Sequence, residues 1–214
     1  MIILGLTGSI GMGKTTAAEN FRRLGVRVHD ADAAVHRLLA KGGEAAAAVA
    51  EAFPAALEGG AIDRRRLGAM VFGNDEELHR LEAILHPLVA ASRDRFLAIA
   101  ARAGARVVVL DVPLLFETGG DRHCDAVAVV SAPAFIQRQR VLMRPGMSAE
   151  KLDAILARQM PDTEKCRRAD FLIPTGQGRV ENLRAVVTIV DTVRGWRGRH
   201  WPSFPRRARI RRDR

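Results

Sequence analysis

At 214 residues, with 48% hydrophobic and 27% charged residues, the chain has the size and composition of one domain with embellishments and a substantial core of its own. No apolar run approaches the roughly 20 residues a membrane helix requires, and residues 1–8 run straight into a strand and a glycine-rich turn rather than a signal peptide, so a cytoplasmic protein is expected. A net charge of +10 suits nucleic acid and polyphosphate ligands alike, while Cys124 and Cys166 form neither a metal-ligand motif nor a disulfide framework.

In chain order, the apolar run 2–7 reads as a buried parallel strand, and 14–24 follows with helical spacing. A second strand, 26–29, ends at Asp30-Ala31-Asp32, after which an alanine-rich helical stretch runs to residue 53. Gly59-Gly60 breaks it; helices are then expected over 64–72 and 76–103, with Pro87 requiring a new helix to begin there. Residues 33–103 thus form a helical insertion. The aliphatic run 106–110 is a strand that stops at Asp111, and 126–130 is another.

Two helices, 134–143 and 148–159, are separated by Pro145-Gly146 and carry Arg138, Arg140, Arg144 and Arg158, a hinged basic hairpin. A last strand at 171–173 precedes a helix at 180–193, and this alternation implies a mostly parallel, five-stranded sheet covered on both faces. Residues 197–214 hold six arginines from Arg206 onward against Asp213 alone, with no apolar periodicity, and are expected to be a disordered basic tail.

Gly8-Ser9-Ile10-Gly11-Met12-Gly13-Lys14-Thr15 has the spacing of a phosphate-binding loop between a strand and a helix. Its glycines let backbone amides converge on phosphate oxygens, and the helix beginning near Gly13 adds its positive end. Lys14 then faces the β and γ phosphates of ATP, the Thr15 hydroxyl ligates Mg2+, and Gly8, Gly11, Met12, Gly13 and Thr16 complete the nucleotide set. The fold class is therefore α/β, a P-loop NTPase of three layers with a helical insertion and a helical lid.

No Asn-Lys-x-Asp element reads a guanine base, and the chain is short for a mechanical ATPase. Asp32, just past the second strand, is placed to orient and deprotonate an acceptor hydroxyl. Asp30 points to the same side if the chain is extended there, or else caps the following helix. Asp111, closing an aliphatic strand, is the candidate magnesium acid, and Arg140 and Arg144, four apart, are candidate lid contacts to the triphosphate.

These residues resemble the dephospho-coenzyme A kinase family. The likeness rests on the segment from Leu6 to Thr15, Asp30-Ala31-Asp32, His86-Pro87-Leu88-Val89, Asp111-Val112-Pro113-Leu114-Leu115-Phe116-Glu117, Gln137 with Arg140 and Arg144, Gln159, and Ala169-Asp170-Phe171, covering roughly residues 2–194. The resemblance implies a nucleotide-binding core (1–32, 104–132 and 168–196), an acceptor domain (33–103) and a lid (133–167). It implies ATP and dephospho-coenzyme A as substrates, Asp32 as the base acting on the ribose 3′-hydroxyl, and Arg140 as a lid contact to ATP. His86 and Pro87 fall on the acceptor side, although a proline opening a helix is reason enough for that pair. Leu114, Leu115 and Phe116 wall the acceptor pocket or fill core.

Two features depart from the family pattern. Pro174-Thr175-Gly176 stands where an Asp-Asn-Gly turn is usual, removing an amide near the expected adenine, and the arginine tail has no counterpart. The alternative enzyme is a nucleoside or nucleoside monophosphate kinase of the same fold. Nucleic acid binding is expected only through the tail, where Trp196, Trp201 and Phe204 interleave with arginines, and a monomer or weak homo-oligomer is expected.

Overall fold

Runs that are aliphatic on both faces become the middle of a sheet. In the computed structural model, which describes residues 1–201, β1 (Ile2–Thr7) and β5 (Val107–Asp111) are buried at every position. With β2 (Arg27–Asp30), β6 (Ala126–Ser131) and β7 (Phe171–Pro174) they form a five-stranded sheet in the order β2-β5-β1-β6-β7. The pairs β1·β5, β1·β6 and β6·β7 are parallel, and the register sets Asp111 beside Leu6, one residue before Thr7 ends its strand.

The chain divides into two compact units, 1–28 with 100–214 and 29–99. In the first, α1 (Lys14–Arg23) and α9 (Arg179–Arg194) close one core with the sheet: Ala17, Ala18 and Phe21 meet Val186, Ile189, Val190 and Val193 over Leu4, Leu6 and Val109. Loss of apolar surface from water at such positions supplies most of the stabilisation. The basic hairpin is α6 (Ala134–Leu142) and α7 (Ala149–Ala157), joined through Pro145-Gly146. A further helix, α8 (Asp162–Arg168), follows Pro161 with Asp162 and Glu164 in its first turn and Lys165, Arg167 and Arg168 in its last, charges that complement its dipole. That charge order was a helix signal legible in the sequence, and the expected element list lacked it.

The second unit holds α2 (Ala31–Leu39), α3 (Ala46–Ala52), α4 (Arg64–Val71) and most of α5 (Asp75–Arg102), around Leu38, Val49, Phe53, Leu67, Leu81 and Leu85. The alanine-rich stretch is two helices, because the chain turns at Gly42-Gly43 and the Ala45 amide returns to the Leu38 carbonyl. Gly59 and Gly60, with φ of 56° and 80°, turn a two-residue hairpin between β3 (Leu57–Glu58) and β4 (Ala61–Ile62), the geometry for which Gly-Gly is suited.

Pro87 does not start a helix. It lies inside α5, exposed beside exposed His86. Its ring removes one bond to the Ala83 carbonyl, and the helix persists because Leu81, Ile84, Leu85, Leu88 and Val89 on its other side pack into this core. Residues 199 and 200, which fall in the expected tail, are tied to Asp125. Asp125 Oδ2 accepts from the Ile3 amide at 2.7 Å, and its Oδ1 accepts from the Arg199 and His200 amides at 2.5 and 3.4 Å. Residues 202–214, with the arginine run and Phe204, lie outside the described residues.

Candidate nucleotide and acceptor sites

The phosphate loop leaves β1 and enters α1 at Gly13, whose φ of 86° only glycine adopts cheaply and which leaves α1 without a capping side chain. Gly11 is required twice over. Its φ is 77°, and a Cβ there would stand 2.5 Å from Val141 Cγ2 of α6. Helix α6 therefore packs directly on the loop. Gln137 Nε2 donates to the Ile10 carbonyl at 2.8 Å, and the Ile10 amide donates to Gln159 Oε1 at 3.1 Å.

Lys14 forms an ion pair with Asp111, which is 3% exposed at the end of β5. Those two residues are 97 positions apart in sequence, and the β1·β5 register brings them together. Beside the loop lies a cavity of about 390 Å³ lined by Gly11, Gly13, Thr15 and Thr16, by Arg140 and Arg144, and by Thr175 and Arg179 from the β7–α9 segment. Three guanidinium groups and no carboxylate line it, a setting for a polyanion. Arg140 and Arg144, the expected contacts to the triphosphate, line this cavity, and so does Arg179 at the start of α9, which sequence reasoning did not single out.

Thr175 has a structural explanation. Its hydroxyl donates to the Met12 carbonyl at 2.7 Å and accepts from Arg140 at 3.2 Å, while its own carbonyl accepts from Arg140 at 2.6 Å. The residue that departs from the usual turn ties the loop to Arg140.

The segment after Asp111 is built around Lys165, which is fully buried. Its ammonium meets Glu117 Oε1 at 2.8 Å and approaches the Pro113 carbonyl, which also accepts from the Thr7 hydroxyl at 2.8 Å. Burial pushes the Glu117 carboxyl up, but hydrogen bonds from Lys165 and the Met160 amide outweigh it and hold the group below its ordinary value. Leu115 packs against Gly5, and Phe116 is buried with Arg168 stacked 4.4 Å over its ring, whereas Leu114 is 39% exposed.

In the second unit Asp30 is the N-cap of α2, its Oδ1 accepting from the Ala33 amide at 2.9 Å. The helix therefore begins at Ala31, and the extended geometry that would align Asp30 with Asp32 does not occur. Asp32 is an exposed carboxylate in the first turn. Next to them, His29 is buried, 3.4 Å from Ser92 Oγ and 5.3 Å from the Phe96 ring.

Burial first, then Arg37 and Arg93, push the His29 imidazole below its ordinary value against the opposite pull of Asp30. The unfolded chain therefore takes up this proton at higher pH than the folded one. Stability is intact above the ordinary imidazole value of about 6.5 and falls as pH drops through and below it. His29→Leu is expected to flatten the loss of urea stability between about pH 7 and about pH 5; parallel losses in parent and variant would assign the titration elsewhere.

A family model described as Dephospho-CoA kinase matches residues 2–180. A dephospho-CoA kinase of Mesorhizobium japonicum is 59% identical over 199 residues, which cover 92% of this chain and all of that relative. Among solved structures, a protein from Thermus thermophilus is 37% identical with a TM-score of 0.78, and a dephospho-CoA kinase from Campylobacter jejuni is 25% identical with a TM-score of 0.61. Each alignment covers 89% of this chain and 96% of the other. The fold is that of the P-loop kinases.

Proposed function

We propose that this chain, which belongs to the dephospho-CoA kinase family, transfers the γ-phosphoryl group of Mg·ATP to the ribose 3′-hydroxyl of dephospho-coenzyme A, giving coenzyme A and ADP. The observation that carries the nucleotide half is the carboxylate-free cavity between the loop and Arg140, Arg144 and Arg179. Family membership over most of the chain carries the acceptor half.

Phosphoryl transfer demands little covalent chemistry from a protein; positioning and counter-charge do most of it. Lys14 and the loop amides hold the β and γ phosphates, and Arg140 leaves Thr175 to face the equatorial oxygens of the moving group. Asp32 accepts the proton of the acceptor hydroxyl as that oxygen bonds to phosphorus and the bond to the ADP oxygen breaks. Asp30 supports Asp32 by starting the helix that carries it. His86 and exposed Pro87 belong to the acceptor side in this reading, together with Leu114.

The donor set suits magnesium. Thr15 is an exposed hydroxyl at the head of α1, and Asp111 is a hard oxygen donor at the strand end. Among the described residues no group of three or more His, Cys, Asp or Glu side chains is placed to hold a metal ion, and one or two protein oxygens are what an ion shared with a triphosphate uses. Held there by Thr15 and Asp111, a magnesium ion would supply counter-charge to the triphosphate. Among the described residues no helix is long and apolar enough to cross a membrane; we place the enzyme in the cytoplasm.

The test is ADP release with Mg·ATP and dephospho-coenzyme A, adenosine or AMP at equal concentration. Turnover with dephospho-coenzyme A alone, and coenzyme A as product, is expected. Turnover with AMP or adenosine instead would keep the kinase and replace its acceptor.

A further inference from the structure

Both legs of the lid hairpin grip one residue of the phosphate loop. Gln137, in α6 and only 7% exposed, donates to the Ile10 carbonyl, and Gln159, just past α7, accepts from the Ile10 amide. The amide orientations of both glutamines follow from the partners: a carbonyl demands the Nε2 face, a peptide N–H the Oε1 face. The next two loop residues are tied to the same hairpin. Gly11 lies against Val141, and the Met12 carbonyl is held by Thr175, on which Arg140 rests.

A loop that binds phosphate through backbone amides has no side-chain rotamers with which to adjust; the direction of each peptide plane is the binding geometry. The Ile10 amide and carbonyl belong to the two peptide planes on either side of its Cα, so holding both fixes the Ile10 backbone and the entry to the turn at Gly11. The same α6 presents Arg140 to the nucleotide cavity, so a displacement of the hairpin moves counter-charge and peptide plane together.

We propose that Gln137 and Gln159 are positioning residues that couple the lid to the phosphate loop, the loop keeping its anion-receiving curvature only while the hairpin is seated on Ile10. Neither glutamine touches the reacting atoms. The proposal rests on the ATP-using reading above, and its test separates the two by measuring Mg·ATP affinity without acceptor.

The experiment uses the full chain and Gln137→Met, Gln159→Met, their double variant and Gln137→Glu, with calorimetric Mg·ATP affinity, kcat and KM with dephospho-coenzyme A, and melting temperature. Each Met variant is expected to weaken ATP roughly three- to tenfold, the scale of one lost hydrogen bond. The double variant falls short of the product of the two, because both bonds hold the backbone of one residue.

Gln137→Glu gives the sharper readout. An ionised carboxylate only accepts and repels the Ile10 carbonyl, whereas the protonated acid donates to it, so ATP affinity rises relative to the parent as pH falls from about 8 to about 5.5. A Gln137→Glu profile that follows the parent's overturns the proposal, as do Met variants that bind ATP within about twofold of the parent. Should the Met variants melt early, regain of affinity by Gln137→Glu at low pH still supports the coupling, and no regain still overturns it. A parent that fails to bind ATP overturns the nucleotide reading itself.

Discussion

Asp32→Asn is expected to lower turnover with dephospho-coenzyme A by about 10²- to 10⁴-fold while Mg·ATP affinity stays at the parent's value. The substitution keeps the shape of the side chain and removes the proton acceptor. The expectation is clean because Asp32 has no structural task to confuse it: the cap of α2 is Asp30, and Asp32 is exposed in the first turn. Losing its charge there costs only about 0.3–1 kcal/mol of favourable helix-dipole interaction. Asp30→Ala is the contrasting change, since it removes the cap and should cost about 0.5–2 kcal/mol of stability. Single-turnover ADP formation beside an ATP titration decides the matter. Turnover of Asp32→Asn within about tenfold of the parent would remove Asp32 from the proton transfer.

What the sequence disclosed and what it withheld divide along physical lines. The phosphate loop was legible because its chemistry is contiguous: glycines, lysine and threonine lie within Gly8 to Thr15, and the strand before and helix after follow from local periodicity. Asp111 stood out as an acid ending a fully aliphatic strand, whereas its pairing with Lys14, which the parallel register makes, left no local trace. The acceptor came only from resemblance.

The supports of the loop were not legible as contacts. Gln137 and Gln159 stood in the family-like motifs without a role, because hydrogen bonds spanning 127 and 149 residues leave no periodic trace. Thr175 read as a missing amide until its bonds to Met12 and Arg140 were seen. At Pro87 the local rule was overridden: an exposed ring costs one helix bond, and burial of the opposite side of α5 outweighs it. Leu115 and Phe116, apolar residues in the same motif as Asp111, are buried, which periodicity across so short a segment could not say.

Lys165→Met is expected to cost about 3 kcal/mol, the lower end for breaking a buried ion pair, and to lower the melting temperature by about 6–12 °C. The methionine fills the space of a side chain with no exposed surface, so a cavity is not the cause. The cost arises at Glu117, which keeps the Met160 amide on Oε1 but loses the ammonium, while its Oε2 is already buried without a hydrogen bond among the described residues. In the parent, Lys165 and that amide hold the Glu117 carboxyl low against burial, a contribution present above the ordinary glutamate value and lost as pH falls through the folded one. In the variant burial prevails and the carboxyl titrates high. Its penalty is therefore full at about pH 7.5 and relieved toward about pH 4.5, so the two melting curves should converge on acidification. Adding Glu117→Leu should recover much of the loss, since a buried pair replaced by apolar groups is often neutral. A Lys165→Met protein that melts within about 2 °C of the parent at neutral pH would show that the pair contributes nothing net. If the loss is found, activity should fall with it, because Pro113, whose carbonyl Lys165 and Thr7 share, follows Asp111 by two residues and sets how that acid leaves the sheet.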